Sequence, residues 1–195
     1  FVIAPGSFKE GRIGELEDEP GLSFGVWQMR PQSRGHVHIT SSDSTKTPTI
    51  APHYLSDPLD RQTVIAGLRI GRELANQPSL IPYVVGETVP GSQAATDEAL
   101  LQYARDNGST VYHGVGTCRM GTDPTAGCVV DAHLRVHGVK RLRVIDGSVM
   151  PTMTSTNTNA TVLMIAERAA DLLLNELQGD ETLQPPVRKQ APHTA

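Results

Sequence analysis

His113 lies in the run Val111-Tyr112-His113-Gly114-Val115-Gly116-Thr117-Cys118-Arg119-Met120-Gly121, between a tyrosine and two closely spaced glycines. A neutral imidazole can take a proton at neutral pH, and such a general base typically contributes about 10²–10⁴-fold in rate. Gly114 and Gly116 carry no side chain, so the backbone can bend tightly there and a large ligand can come close. A second run, Asp146-Gly147-Ser148-Val149-Met150-Pro151, leads into Thr156-Asn157-Thr158-Asn159-Ala160. It offers an acidic residue where a strand should end, then two carboxamides ahead of an apolar helix. A carboxamide N–H can stabilise the charge that develops on a substrate oxygen. Asparagine before a helix is also an ordinary cap. That reading suits Asn159, which directly precedes the predicted helix, better than Asn157, two residues earlier. Asp146 reads equally as a solvated strand end or a cap.

Other arrangements are weaker. His36 and His38 share a face of a predicted strand and could ligate a metal. His133 and His137, with Cys118 and Cys128, vaguely suggest zinc, but the two cysteines are too far apart for a caged site. No metal ligands are therefore expected. Gly114-Val115-Gly116 lacks the third glycine of a dinucleotide fingerprint. Gly147-Ser148 lacks the glycine-flanked elbow of a serine hydrolase. Cys118 beside Arg119 reads more simply as a buried thiol than as a nucleophile.

These residues need elements to hold them. Phe24–Arg30 and His36–Thr40 read as strands joined through Pro31-Gln32-Ser33-Arg34-Gly35 as a hairpin. Residues 47–52 are extended but bounded by prolines, and residues 5–22 read as a loop. A helix is predicted from Ser56 or Asp57, with Pro58 at its first position, to a stop at Pro78. A second begins near Thr96, with Asp97 and Glu98 at its positive end, and runs to Asn107-Gly108. Val129-Val130, Leu134–Val136 and Leu142–Ile145 are short strand candidates. A long helix after Asn159 is apolar over a broad face, is expected to be well buried, and stops at Gly179.

The chain has 195 residues and a formal charge of −4, with 38% hydrophobic and 19% charged residues. That balance suits a globular protein and gives no basic footprint for nucleic acid. No apolar run is long enough to span a membrane. Two cysteines are too few for a disulfide scaffold. The chain starts Phe1-Val2-Ile3-Ala4-Pro5, without an initiator methionine, and is expected to be part of a longer protein; a cytoplasmic location is the default.

The two runs together resemble the C-terminal signatures of the glucose–methanol–choline (GMC) flavoenzymes, the choline dehydrogenase-like alcohol dehydrogenases and oxidases. The first is similar to the family's His-Pro-x-Gly-Thr-x-Arg-Met-Gly stretch, with Gly114 where proline is common. The second is similar to the stretch that begins Val-Asp-Ala-Ser, with Gly147 at the alanine, Thr156 at a common glycine and Thr161 at a common proline. Arg30–Val37 looks like the family's strand pair, and Pro52-His53-Tyr54-Leu55-Ser56-Asp57-Pro58 like the opening of a helix in its substrate domain. The resemblance implies an FAD-dependent oxidation of a CH–OH group, with hydride transfer to flavin N5. It implies that His113 is the catalytic base and that Asn157 pairs with it across the substrate oxygen. Asp146, Gly147, Thr158 and Asn159 would bind the cofactor.

The fold this implies is α+β: an antiparallel-sheet substrate domain flanked by helices, plus the last strand and helix of a doubly wound FAD-binding domain. Residues 1–22 would be a loop or linker from a missing N-terminal part, 23–112 the substrate-binding domain, 113–178 the active-site segment returning to the FAD domain, and 179–195 a disordered tail. The implied partners are a small alcohol and the missing N-terminal FAD-binding portion, which would carry the phosphate-binding glycines. Alone, this chain would be incomplete and inactive. The alternatives are a non-catalytic partner-binding module and a metal-binding protein.

Overall fold

The computed structural model describes residues 1–9 and 14–179. Their architecture is mixed: three α-helices, several single 3₁₀ turns and two small antiparallel sheets. The described backbone divides into two compact units, split between His113 and Gly114.

In the first unit, β1 (Val2–Ala4) pairs with β2 (Ser23–Gly25), and β3 (His36–His38) pairs with β4 (Thr49–Ala51). The expected hairpin between Phe24–Arg30 and His36–Thr40 does not form. Its connection is occupied elsewhere: the N–H of Gln32 donates to both carboxylate oxygens of Asp60 (2.9 and 3.1 Å), and that of Ser33 donates to one of them (2.8 Å). Residues 47–52, read as merely extended, supply β4 instead. The expected single sheet is thus two separate two-stranded ones.

Helix α1 (Pro58–Ala75) starts where the sequence places it. Pro58 takes the first position, and the Asp57 carboxylate accepts from the N–H of Leu59 at 2.8 Å. The chain from β2 onward runs along this helix. Gln28 Nε2 donates to Thr63 Oγ1 (3.2 Å), Val26 lies against Gly67, and Phe24 lies against Gly71. Two residues of extended chain match four residues of helix, because about 3.3 Å per residue nearly keeps step with about 1.5 Å. A Cβ at position 67 would stand 2.2 Å from Val26 Cγ1, so glycine is what permits this approach.

Helix α2 (Asp97–Asn107) is likewise as expected, with the Thr96 hydroxyl accepting from the N–H of Ala99 at 3.2 Å. It packs on α1, and Leu100 is fully buried. Between the two helices, Arg72 of α1 spreads its guanidinium over the Glu87 carboxylate and the carbonyls of Gly91 (2.9 Å) and Ala94 (2.8 Å).

The second unit has its own core: Val130, Leu134, Val149, Met150, Ile165 and Ala169. The short strands expected at 129–130, 134–136 and 142–145 reduce to isolated bridges, Val130 with Val136 and Arg135 with Arg143. Helix α3 (Thr158–Gly179) begins one residue ahead of Asn159 rather than after it. Its burial is narrower than its apolar sequence suggests. Ile165 and Ala169 face the core, but Leu163, Met164 and Leu174 are more than half exposed. The tail expected over 179–195 lies outside the described residues, except for Gly179, which ends α3.

Candidate active site

His113 is the last residue of the first unit and is half-buried. The residue before it, Tyr112, is left-handed at φ 59°, a conformation that a non-glycine residue holds only at a cost. Thr110 stabilises that bend. Its hydroxyl oxygen accepts from the backbone N–H of Tyr112 (3.0 Å) and from the phenol of Tyr54 (2.8 Å). The sequence reading missed Tyr54 and Thr110 in this role, because 56 residues separate them and no local pattern joins them.

Beyond the histidine, Gly116 adopts φ 87°, the tight bend expected of it, while Gly114 needs no such conformation. The rest of the glycine-rich run is laced to the second motif. The N–H of Cys118 donates to the Ser148 carbonyl (3.0 Å), and that of Met120 donates to the Val149 carbonyl (2.9 Å). The two runs that carry the candidate residues of the second unit are therefore neighbours in space.

Asp146 does not simply end a strand. Its carboxylate accepts from the N–H of Ser148 (2.7 Å) and caps the 3₁₀ turn Gly147–Val149, so the cap reading of this residue holds. That turn packs on α3. A Cβ at Gly147 would meet Met150 Cε at 3.4 Å, Val162 Cγ2 at 3.5 Å and Val115 Cγ1 at 3.9 Å. The side-chain direction at Gly147 thus points at the unit's own side chains.

Asn157 immediately precedes α3, Thr158 is its first residue, and Asn159 lies in its first turn. The cap position is therefore that of Asn157, not of Asn159. Asn157, Asn159 and Asp146 are exposed, and Thr158 is half-buried. The first turn of α3 carries no acidic side chain. The positive dipole end of the helix is not offset by a carboxylate in that turn, and such an end suits an anionic or electron-rich ligand. Such an end fits the pyrimidine side of a flavin, where it would favour the negative charge that reduction places on the ring.

The other sequence candidates are engaged structurally or stand apart. His137 Nε2 donates to the Gly121 carbonyl at 2.9 Å, and Cys118 and Cys128 are free thiols.

The family model of the GMC oxidoreductases matches residues 31–166, well over half of the chain. The chain belongs to the GMC oxidoreductase family. It is 41% identical to an alcohol dehydrogenase (acceptor) of Pseudomonas putida over 157 residues, 80% of this chain and 28% of that protein. It is 46% identical to an oxygen-dependent choline dehydrogenase of Citrobacter koseri over 155 residues, 80% of this chain and 27% of that protein. Among solved structures, a fungal aryl-alcohol oxidase is similar at TM-score 0.70 and 34% identity, covering 77% of this chain and 25% of that one. An FAD-dependent oxidoreductase from Chaetomium thermophilum is similar at TM-score 0.72 and 32% identity, covering 77% of this chain and 26% of that one. Members of the GMC family are FAD-dependent. The chain spans less than a third of the length of the curated relatives it matches.

Proposed function

We propose that this chain is the C-terminal part of an FAD-dependent alcohol oxidoreductase acting on CH–OH donors. Bound FAD supplies, at N5, the acceptor for the hydride that leaves the carbinol carbon. His113 removes or shares the hydroxyl proton, so that the oxygen can become a carbonyl as the hydride departs. The Asn157 amide donates to that oxygen and orients it. Asp146, Gly147, Thr158 and Asn159 line the cofactor, with Gly147 contributing backbone and the first turn of α3 contributing N–H groups.

The observation that carries this reading is the start of α3. It is preceded by Asn157, free of acidic side chains, and set against the Asp146-Gly147 turn, in a chain whose relatives include alcohol and choline dehydrogenases. The substrate class is that named for those relatives, a small alcohol. The remaining partner is the N-terminal FAD-binding portion of the complete protein. In the same reading, residues 1–22 enter from that portion, 23–112 form the substrate domain, 113–178 carry the active site back to the doubly wound FAD domain as its last strand and helix, and 179–195 form a tail. A cytoplasmic location goes with it, supported by the unpaired thiols of Cys118 and Cys128. Among the described residues no helix is long and apolar enough to cross a membrane.

The test is His113→Ala in the complete enzyme. Loss of a general base lowers kcat by about tenfold or more, with FAD still bound by its visible absorbance. Unchanged turnover on the best alcohol overturns the assignment.

A further inference from the structure

Three of the chain's histidines gather on one exposed face of the β3–β4 sheet. His36 and His38 are two apart on β3 and so point to the same side. Ala51 of β4 is paired with His36, and His53 follows it by two residues. The rings touch: centroids are 4.5 Å apart for His36–His38 and 5.2 Å apart for His36–His53. All three residues are exposed.

That spacing has chemical meaning. A metal–nitrogen bond of about 2.0–2.1 Å places the centre of a ligating imidazole about 3.2 Å from the ion. Two rings sharing one ion at roughly 90–110° then have centres about 4.5–5.2 Å apart. His53 adds a second, independent observation. Its Nδ1 lies 3.3 Å from the Arg34 carbonyl oxygen, which can only accept, so in this contact Nδ1 is the donor. That leaves Nε2 as the nitrogen that can offer a lone pair to an ion. Metal-binding histidines are commonly fixed in this way, with the far nitrogen on a carbonyl. The backbone at His53 is left-handed, at φ 53°, which sets the ring's position at a conformational cost.

We propose that His36, His38 and His53 form a surface chelate for one divalent transition metal of the zinc, copper or nickel kind. This goes beyond the oxidoreductase reading and does not depend on it. Imidazole ligands favour these ions over magnesium or calcium, which take oxygen. Among the described residues no three histidine, cysteine, aspartate or glutamate side chains are already disposed to hold an ion. Loading therefore turns the exposed rings of His36 and His38 about their side-chain torsions, with water completing the shell. No core packing opposes that turn. The sequence named His36 and His38 as residues that could ligate a metal, with no metal site expected; the fold brings the third ring beside them.

The full chain is titrated with zinc chloride alone by calorimetry, with magnesium chloride in parallel. One zinc per chain and no heat of binding from magnesium are expected. His38→Ala weakens zinc by about tenfold or more, because it removes an intramolecular second ligand. His53→Ala weakens it too, and His137→Ala leaves it unchanged. As a readout that needs no variant, substoichiometric copper broadens the ring-proton resonances of His36, His38 and His53 before those of His133. No binding by the wild-type chain, binding that survives the His36→Ala/His38→Ala double change, or broadening spread evenly over all histidines overturns the proposal.

Discussion

Helices α1 and α3 solve the same electrostatic problem in opposite ways. At the start of α1, Asp57 accepts a backbone N–H and Asp60, only 2% exposed, sits in the first turn. The Asp60 carboxylate answers the helix dipole and also collects the N–H groups of Gln32 and Ser33. The start of α3 has amide and hydroxyl side chains and no acid. The long faces differ in the same sense. Glycines of α1 let the chain at Phe24 and Val26 come close, whereas α3 leaves Leu163, Met164 and Leu174 in solvent. A helix whose charge and surface are both satisfied within its unit is scaffold. A helix with its charge and part of its apolar surface left open is the one proposed above to face the cofactor.

The largest effect that would break this contrast lies at Asp60. Asp60→Ala strands two backbone N–H groups and removes a charge-assisted bond, at about 3 kcal/mol. The urea midpoint of the first unit should fall accordingly, and an unchanged midpoint would deny Asp60 its role as anchor. The pH dependence has a definite sign. Burial alone would raise the Asp60 carboxyl, but hydrogen bonds from the Ser33 hydroxyl, the Gln32 and Ser33 N–H groups and the Gln28 side chain outweigh it and hold the carboxyl below the ordinary aspartate range. A lowered folded-state value means stability that is present above the unfolded value and lost as pH falls through the folded one. Acid titration of wild type should show this loss below the normal aspartate range, and Asp60→Asn should remove it.

Next in size is Gly67→Ala. The added methyl meets Val26 Cγ1, which costs about 1–3 kcal/mol by overpacking and is partly offset by about 1 kcal/mol of helix propensity. A net gain in thermal stability would show that Val26 simply rotates away and that the extended chain beside α1 does not depend on glycine. Smallest in stability, and most telling, is Asn157→Asp. A carboxylate at the start of α3 should stabilise the helix by about 0.3–1 kcal/mol. In the complete enzyme the same change should lower kcat, because charge now occupies the end proposed to face the flavin. A variant that is more stable and equally active would make Asn157 a cap and nothing else.

Much of this was legible where the physics is local. Asp57-Pro58 and Thr96-Asp97-Glu98 are capping signals, and α1 and α2 start where they say. Strand pairing was not legible, because it was decided by a distant carboxylate taking N–H groups that a hairpin would have used. Asp60 itself looked like any acid in a first turn. For the candidate site, Asp146, Gly147, Asn157, Thr158 and Asn159 were named from the sequence, and their turn and helix do pack together. One detail was misread. Asn159 looked like the cap because the apolar pattern starts after it, and the backbone enters the helix at Thr158 regardless. Tyr54 and Thr110, which stabilise the bend before His113, had no signal short of the folded chain.

The guanidinium of Arg72 has one more consequence. Residues 84–94 contain no helix or strand, and Val85 is fully open to solvent. A protease could reach the backbone there. Yet the stretch downstream of that bond is clasped to α1 through Glu87, Gly91 and Ala94. A nick at Val85 should therefore leave two polypeptides that co-elute, and Arg72→Lys, which keeps the charge but loses the fork, should let them part.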